Sequence, residues 1–243
     1  DSYYWVQGLP LSDRLALRVN TFYLNLISME ESICILISDL SGYTALTETH
    51  GAVSAADLID KYIAIVEDCL VGDCHLKERI GDELMIVSTT PDFLLATANN
   101  IINATSNEHN FLQVHGGIHY GKVLKRRDSY FGSAINLTSR IAAKASPGTF
   151  WCSEEFVEAL STKSDNKLKS TGKHSFKNIT GFVELYELES ENINSVLIDS
   201  ICRMLILDTN KAIKHPSKED IFFCSQTCLD IYLRNEMTNL EVG

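Results

Sequence analysis

The chain has 243 residues, 45% of them hydrophobic, enough for one substantial core and a small second unit. Its 21 basic and 32 acidic side chains give a net charge of −11, spread without long single-sign runs. That distribution argues against nucleic acid and against an anionic membrane surface as partners.

No run reaches the roughly 18–20 apolar residues of a spanning helix, so the expected setting is the cytoplasm. Of seven cysteines, Cys34, Cys69, Cys74 and Cys152 stand alone in apolar surroundings and read as reduced core residues. Residues 1–28 have no clear period, and the expectation is an extension outside the fold.

In chain order, SICILIS (32–38) reads as a buried strand. The loop DLSGYTALTETHG follows, then a helix that places Leu58, Ile59, Tyr62, Val66 and Cys69 on one face. CHLKERIGDELMIVST reads as a hairpin turning at Gly81-Asp82, and PDFLLATANNIINAT as a helix. The glycines of FLQVHGGIHYGKVLKR predict two strands joined around His119 to Gly121. A further helix is expected from about Gly132 to Lys144, then the strand TFWC. Ser153 next serves as N-cap to a helix with Glu154 and Glu155 in its first turn. KHSFKNI and VELYELE are the expected closing strands. This β-α-β-β-α-β order predicts an α+β, ferredoxin-like split βαβ plan, a mostly antiparallel sheet with its helices on one face. ESENINS marks a polar linker, residues 191–195, and residues 196–243 form a separate small module containing Cys202, Cys224 and Cys228.

Asp39 ends an apolar strand and Asp82 sits in a hairpin that such a sheet places beside it. Paired aspartates suit Mg²⁺, which takes hard oxygen ligands and leaves positions for phosphate oxygens. The loop carrying Gly42, Tyr43 and Thr44 offers backbone N–H groups to a triphosphate. Taken singly, each aspartate reads more readily as a turn residue, and only the pair with the loop lifts the metal reading. Asn136 and Arg140 lie at i and i+4, so an amide and a guanidinium share one helix face; a plain solvated face has the same pattern.

Together, ISDLSGYTAL, RIGDELMIV and YFGSAINLTSR resemble, in order, the first metal-aspartate loop, the second metal-aspartate hairpin and the transition-state helix of the class III nucleotide cyclase catalytic domain. The resemblance spans residues 33 to 189. It implies a homodimer with two active sites at the interface, each drawing Asp39, Asp82 and the Leu40 carbonyl from one chain and Asn136 and Arg140 from the other. It also implies two Mg²⁺ or Mn²⁺, a nucleoside triphosphate substrate, and Lys177 as a triphosphate-binding lysine.

Two base-reading positions depart from the adenylate-type pattern: Glu78 replaces a lysine and Ser129 an aspartate. A carboxylate suits the N–H donors of guanine, yet it can also accept from adenine N6 or uracil N3–H. ATP, GTP and, behind them, a pyrimidine triphosphate stay open. So do a register slip that brings Lys77 into the pocket and a pairing of Glu78 with Arg126 or Arg127. DSICRM and FFCSQTCLDIY resemble a YHS or TRASH-type metal-binding domain. That resemblance implies Zn²⁺ or copper on Cys202, Cys224 and Cys228, with His215 or Asp208 as a fourth ligand. Core packing of the same cysteines is the alternative.

Overall fold

The structure, a computed structural model, describes residues 29–161, 168–188 and 196–241. The expected N-terminal extension and the linker lie outside the described residues. Strand β1 (Met29–Ser41) pairs antiparallel with β3 (Glu83–Ser88) on one side and along its whole length with β4 (Gln113–Arg126) on the other. β2 (His75–Ile80), β5 (Ser129–Phe131), β6 (Phe150–Ser153), β7 (Leu168–His174) and β8 (Val183–Leu188) complete the sheet, in the order β2-β3-β1-β4-β6-β8-β7 with β5 on β4. The β4–β6 pair is parallel and the rest are antiparallel, as the split βαβ plan requires.

Among the described residues, four helices accompany the sheet: α1 (Tyr43–Cys69), α2 (Pro91–Ser106), α3 (Ser133–Lys144) and α4 (Glu154–Ala159). They do not share one face. Cys34, Leu36 and Leu40 of β1 pack with residues of α1, α2 and α4, whereas Ile33, Ile35 and Ile37 pack with Ala134 and Ala142 of α3. A strand apolar at every position is one covered on both sides, and SICILIS is such a strand.

The run Gln113–Arg126 is one strand, not two. Its glycines mark close approach rather than a turn: a Cβ on Gly117 would stand 2.4 Å from the Ala142 amide and 2.5 Å from the Thr138 carbonyl, and one on Gly116 would stand 2.5 Å from the Ile37 carbonyl. Helix α3 can lie against β4 only because Gly117 has no side chain, while Gly116 leaves room for β1 and the Phe150 ring. The expected loop after Asp39 is also shorter. Gly42, at φ 95°, turns the chain and α1 begins at Tyr43, burying Leu46. Thr47 and Thr49 bond back to the Tyr43 and Ala45 carbonyls, and Gly51, at φ 83° and ψ 167°, breaks the helix after His50. The threonines and that break disguise residues 43–50 as loop. Ser153 caps α4 as expected, accepting from the Phe156 N–H. KHSFKNI is not a strand: β7 ends at His174, and left-handed Asn178 and Gly181 turn the chain into β8.

Residues 196–241 form two short hairpins, β9 (Leu197–Ile198) with β10 (Leu205–Ile206) and β11 (Ile213–Lys214) with β12 (Phe222–Phe223), followed by α5 (Gln226–Glu241). Cys202, Phe223, Cys228 and Leu229 make their buried core. This unit sits against the main core: the Leu205 N–H donates to the carbonyl of Phe111, in the connection between α2 and β4, at 2.8 Å, and Met204 packs on that core.

Candidate functional site

The register of the sheet builds the first constellation. Ser38 pairs with Leu84 and Ile80 with Glu83, so the two-residue turn at Gly81 (φ 66°) brings Asp82 to the end of β1, beside Asp39. The Tyr62 hydroxyl donates to Ser38 Oγ at 2.7 Å in the buried interior, which fixes α1 one residue before Asp39. Asp39 Oδ1 accepts from the Leu40 N–H. Burial, then the adjoining Asp39 carboxyl, push Asp82 up to about 6. Among the described residues no lysine or arginine forms an ion pair with either aspartate. Two apposed, half-buried carboxylates short of positive charge are a hard-oxygen donor set that fits a divalent cation. Helix α1 starts beside them with no side chain capping its first-turn N–H groups, so Gly42, Tyr43 and Thr44 hold donors that an anion can use.

Glu78 and Asn136 line one cavity of about 170 Å³ with Ile37, Ile80, Glu83 and Met85. Strand alternation puts Ile37 and Asp39 on the same face, so the cavity and the aspartate pair share one side of the sheet. A β-bulge between Leu76 and Glu78 sends Lys77 elsewhere: its ammonium bonds Asp128 at 2.6 Å and lies 5.3 Å from the Tyr130 ring centroid. Lys77 is thereby ruled out as the pocket residue. Among the described residues no ion pair joins Glu78 to Arg126 or Arg127. Ser129 is exposed in β5, opposite Arg126, and does not line the cavity. Asn136 is exposed on α3 and Arg140 half-buried one turn on. Lys177 is exposed in the β7–β8 turn, where the Ile179 N–H bonds the Phe176 carbonyl. A cavity of about 350 Å³ opens beside that turn, lined by Asn178, Thr180, Lys122 and His119. One chain thus presents the carboxylate pair and the Glu78–Asn136 cavity, with Lys177 apart from both.

Sequence reading overlooked His115. It pairs with Asp39 across β1 and β4, its Nδ1 lies 2.9 Å from Ser41 Oγ, and burial holds its pKa below the usual range. Its only sequence signal is the strand pairing, which appears once β4 is read as continuous.

The three C-terminal cysteines do converge. Cys202 Sγ lies 3.5 Å from Cys224 Sγ, which lies 3.8 Å from Cys228 Sγ, and none is in a disulfide. Buried Asp199 holds the turns that carry them: Oδ1 accepts from the Ile201 and Cys202 N–H groups and Oδ2 from that of Cys224, at 2.7, 2.8 and 2.6 Å. Neither proposed fourth ligand joins them. His215 Nδ1 accepts from the Ser217 and Lys218 N–H groups and its Nε2 meets Glu236 at 3.2 Å, while Asp208 pairs with Lys211. The fourth donor near the sulfurs is His50 of α1, which nothing in the cysteine motif announces.

Among the described residues no helix is long and apolar enough to cross a membrane. The family model for the adenylate and guanylate cyclase catalytic domain matches residues 26–190. An uncharacterized protein of Mycobacterium tuberculosis is 34% identical over 124 residues, 51% of this chain and 33% of its own length. A pH-sensitive adenylate cyclase of the same species is 27% identical over 53% of this chain and 32% of its own. The chain therefore spans about a third of the length of these curated relatives. The crystal structure of the adenylyl cyclase CyaB from P. aeruginosa superposes with a TM-score of 0.59 at 16% identity, covering 69% of this chain and 98% of that one.

Proposed function

Because the chain belongs to the family of adenylate and guanylate cyclase catalytic domains, we propose that it converts a purine nucleoside triphosphate, ATP or GTP, to the 3′,5′-cyclic nucleotide and pyrophosphate. The observation that carries this reading is the apposed Asp39–Asp82 pair beside the uncapped start of α1. Asp39, Asp82 and the Leu40 carbonyl would hold two Mg²⁺ or Mn²⁺, which when bound neutralise phosphate charge and acidify the ribose 3′-OH. The 3′-oxygen attacks the α-phosphorus, the bond from that phosphorus to the bridging oxygen of the β-phosphate breaks, and pyrophosphate departs. The first-turn N–H groups at Gly42, Tyr43 and Thr44 cradle the phosphates.

Asn136 orients the ribose, and Arg140 and Lys177 stabilise charge on the phosphoryl oxygens. Glu78, in one cavity with Asn136, reads the base, with Ser129 as the second base-reading residue the family pattern implies. Since Arg140 and Lys177 make no ion pair with the aspartates among the described residues, two copies of the chain would complete each site, the aspartates of one facing Asn136 and Arg140 of the other. In this reading residues 29–190 are the cyclase domain, 191–195 a linker, and 196–243 a YHS-like module.

Incubation of the purified chain with ATP, GTP, CTP and UTP in Mg²⁺ or Mn²⁺, with mass spectrometry of the products, tests the proposal. A cyclic purine nucleotide supports it, and a cyclic pyrimidine product reassigns the base. A second reading, a catalytically idle nucleotide-responsive protein, rests on Arg203, whose Cβ lies 2.5 Å from where a Cβ on Gly42 would stand, so that the C-terminal unit covers the phosphate loop. No pyrophosphate from any of the four nucleotides would establish that reading.

A further inference from the structure

His50 belongs to the sheet's own helix α1, and the three cysteines to the C-terminal unit, yet one ligand atom from each lies within 4.8 Å of all the others. The separations carry information. A tetrahedral Zn²⁺ with bonds of about 2.3 Å to sulfur and 2.0–2.1 Å to nitrogen sets its donors about 3.6–3.8 Å apart. Of the six separations, three are 3.5 Å and 3.8 Å between sulfurs and 3.8 Å from Cys228 Sγ to His50 Nε2, and the other three lie within 4.8 Å, close enough for small side-chain shifts to close on an ion. A disulfide would need about 2.05 Å. Cys202 and Cys228 are buried and His50 and Cys224 half-buried, so the cluster is closed, as structural Cys₃His sites are.

Backbone construction on both sides presents these donors. Gly51 ends the first part of α1 directly after His50 and frees the imidazole from the continuing helix. Asp199 bonds the N–H groups of both Cys202 and Cys224, orienting the two turns from behind. Arg203, the residue after Cys202, occupies a left-handed conformation at φ 68° and lies on Gly42.

We propose that His50 completes a Cys₃His site for Zn²⁺ with Cys202, Cys224 and Cys228, and that the bound ion staples the C-terminal unit to the opening turns of α1, seating Arg203 against Gly42. The site itself is independent of the cyclase reading; only the importance of the loop at Gly42 rests on it. His215, engaged on both ring nitrogens, is outside the site.

Metal analysis of the full chain, and of its His50→Ala and His215→Ala variants, decides the ligand set without any turnover. The expected result is one Zn²⁺ per wild-type chain, at least about tenfold weaker binding in His50→Ala, and wild-type binding in His215→Ala. Co²⁺ substitution provides the second readout. The tetrahedral visible bands of wild type should shift in His50→Ala, and His50→Cys should bind Co²⁺ with stronger sulfur-to-metal absorption. Amide exchange across residues 43–50 reports the staple: Zn²⁺ should slow it in wild type and not in His50→Ala. Absence of metal from wild type, an unchanged affinity and Co²⁺ spectrum in His50→Ala, or exchange at 43–50 that ignores Zn²⁺ each overturns the proposal. None of these depends on whether nucleotide is cyclised.

Discussion

Asp39 stands two residues before the end of β1 and Asp82 in the turn between β2 and β3, and the ladder that pairs Ser38 with Leu84 and Ile80 with Glu83 puts them side by side. Cys202 and Cys224 stand in turns that no ladder fixes, held by one buried carboxylate that accepts three backbone N–H groups. A sheet supplies position through a register repeated along many residues, so its site tolerates the loss of one side chain. The C-terminal unit concentrates the same task in Asp199, and its small core of Cys202, Phe223, Cys228 and Leu229 has little with which to compensate.

The largest effects should separate function from fold in opposite ways. Asp39→Ala should reduce pyrophosphate release to background while leaving the melting temperature equal to or above wild type, because it removes a negative charge apposed to Asp82. A variant that melts much earlier would show the pair to be structural. Asp199→Ala should do the reverse on the C-terminal unit. Three inward N–H groups lose their acceptor, a cost of about 2–4 kcal/mol. Thermal unfolding of metal-free protein, followed through the near-ultraviolet signal of Tyr232, should show that unit melting first.

Gly117→Ala tests whether the sheet's tolerance extends to its helix contacts. The added methyl meets the backbone of α3 at Thr138 and Ala142, which neither side can yield cheaply. We expect a loss of about 1–3 kcal/mol and a fall in kcat larger than the rise in KM, since α3 carries Asn136 and Arg140.

That same glycine shows what the sequence could and could not reveal. The apolar run of β1, the Gly81-Asp82 turn, the Ser153 cap and the i, i+4 spacing on α3 are local patterns, and each was legible. A glycine required by a helix passing at 2.4 Å carries the same letter as a glycine in a turn, so the sequence predicts two strands where β4 is one. The threonines of residues 43–50 hid a helix for a similar reason. At the candidate sites, residues whose partners are near in sequence, such as Cys224 with Cys228, were legible as a group. His50 was not, because its partners arrive only when a distant segment folds back onto α1.

A smaller effect is expected at the Glu78–Asn136 cavity, proposed to read the base. Glu78→Lys should shift the ratio of kcat/KM for ATP over GTP towards ATP by about tenfold, measured with both nucleotides in competition. An unchanged ratio would return Glu78 to the role of a surface carboxylate on β2. The substitution should leave the proposed Zn²⁺ binding at the cysteines untouched, since the two sites share no residue.

The smallest effect concerns acid. His119 is buried in β4, its Nδ1 2.7 Å from the Oγ of Ser153, the cap of α4. Burial holds its pKa below the usual value, against the pull of Glu155 at 3.7 Å. The folded sheet therefore keeps this histidine neutral, while the unfolded chain takes up a proton below about pH 6.5. The stability that follows from this is present above that pH and drains away as pH falls through it, by at most about 1.4 kcal/mol per pH unit. His119→Gln should lower stability at pH 7.5 yet flatten its decline between pH 7 and 5, as read from urea unfolding at each pH. An equally steep decline in the variant would assign the acid sensitivity to groups outside the sheet's core.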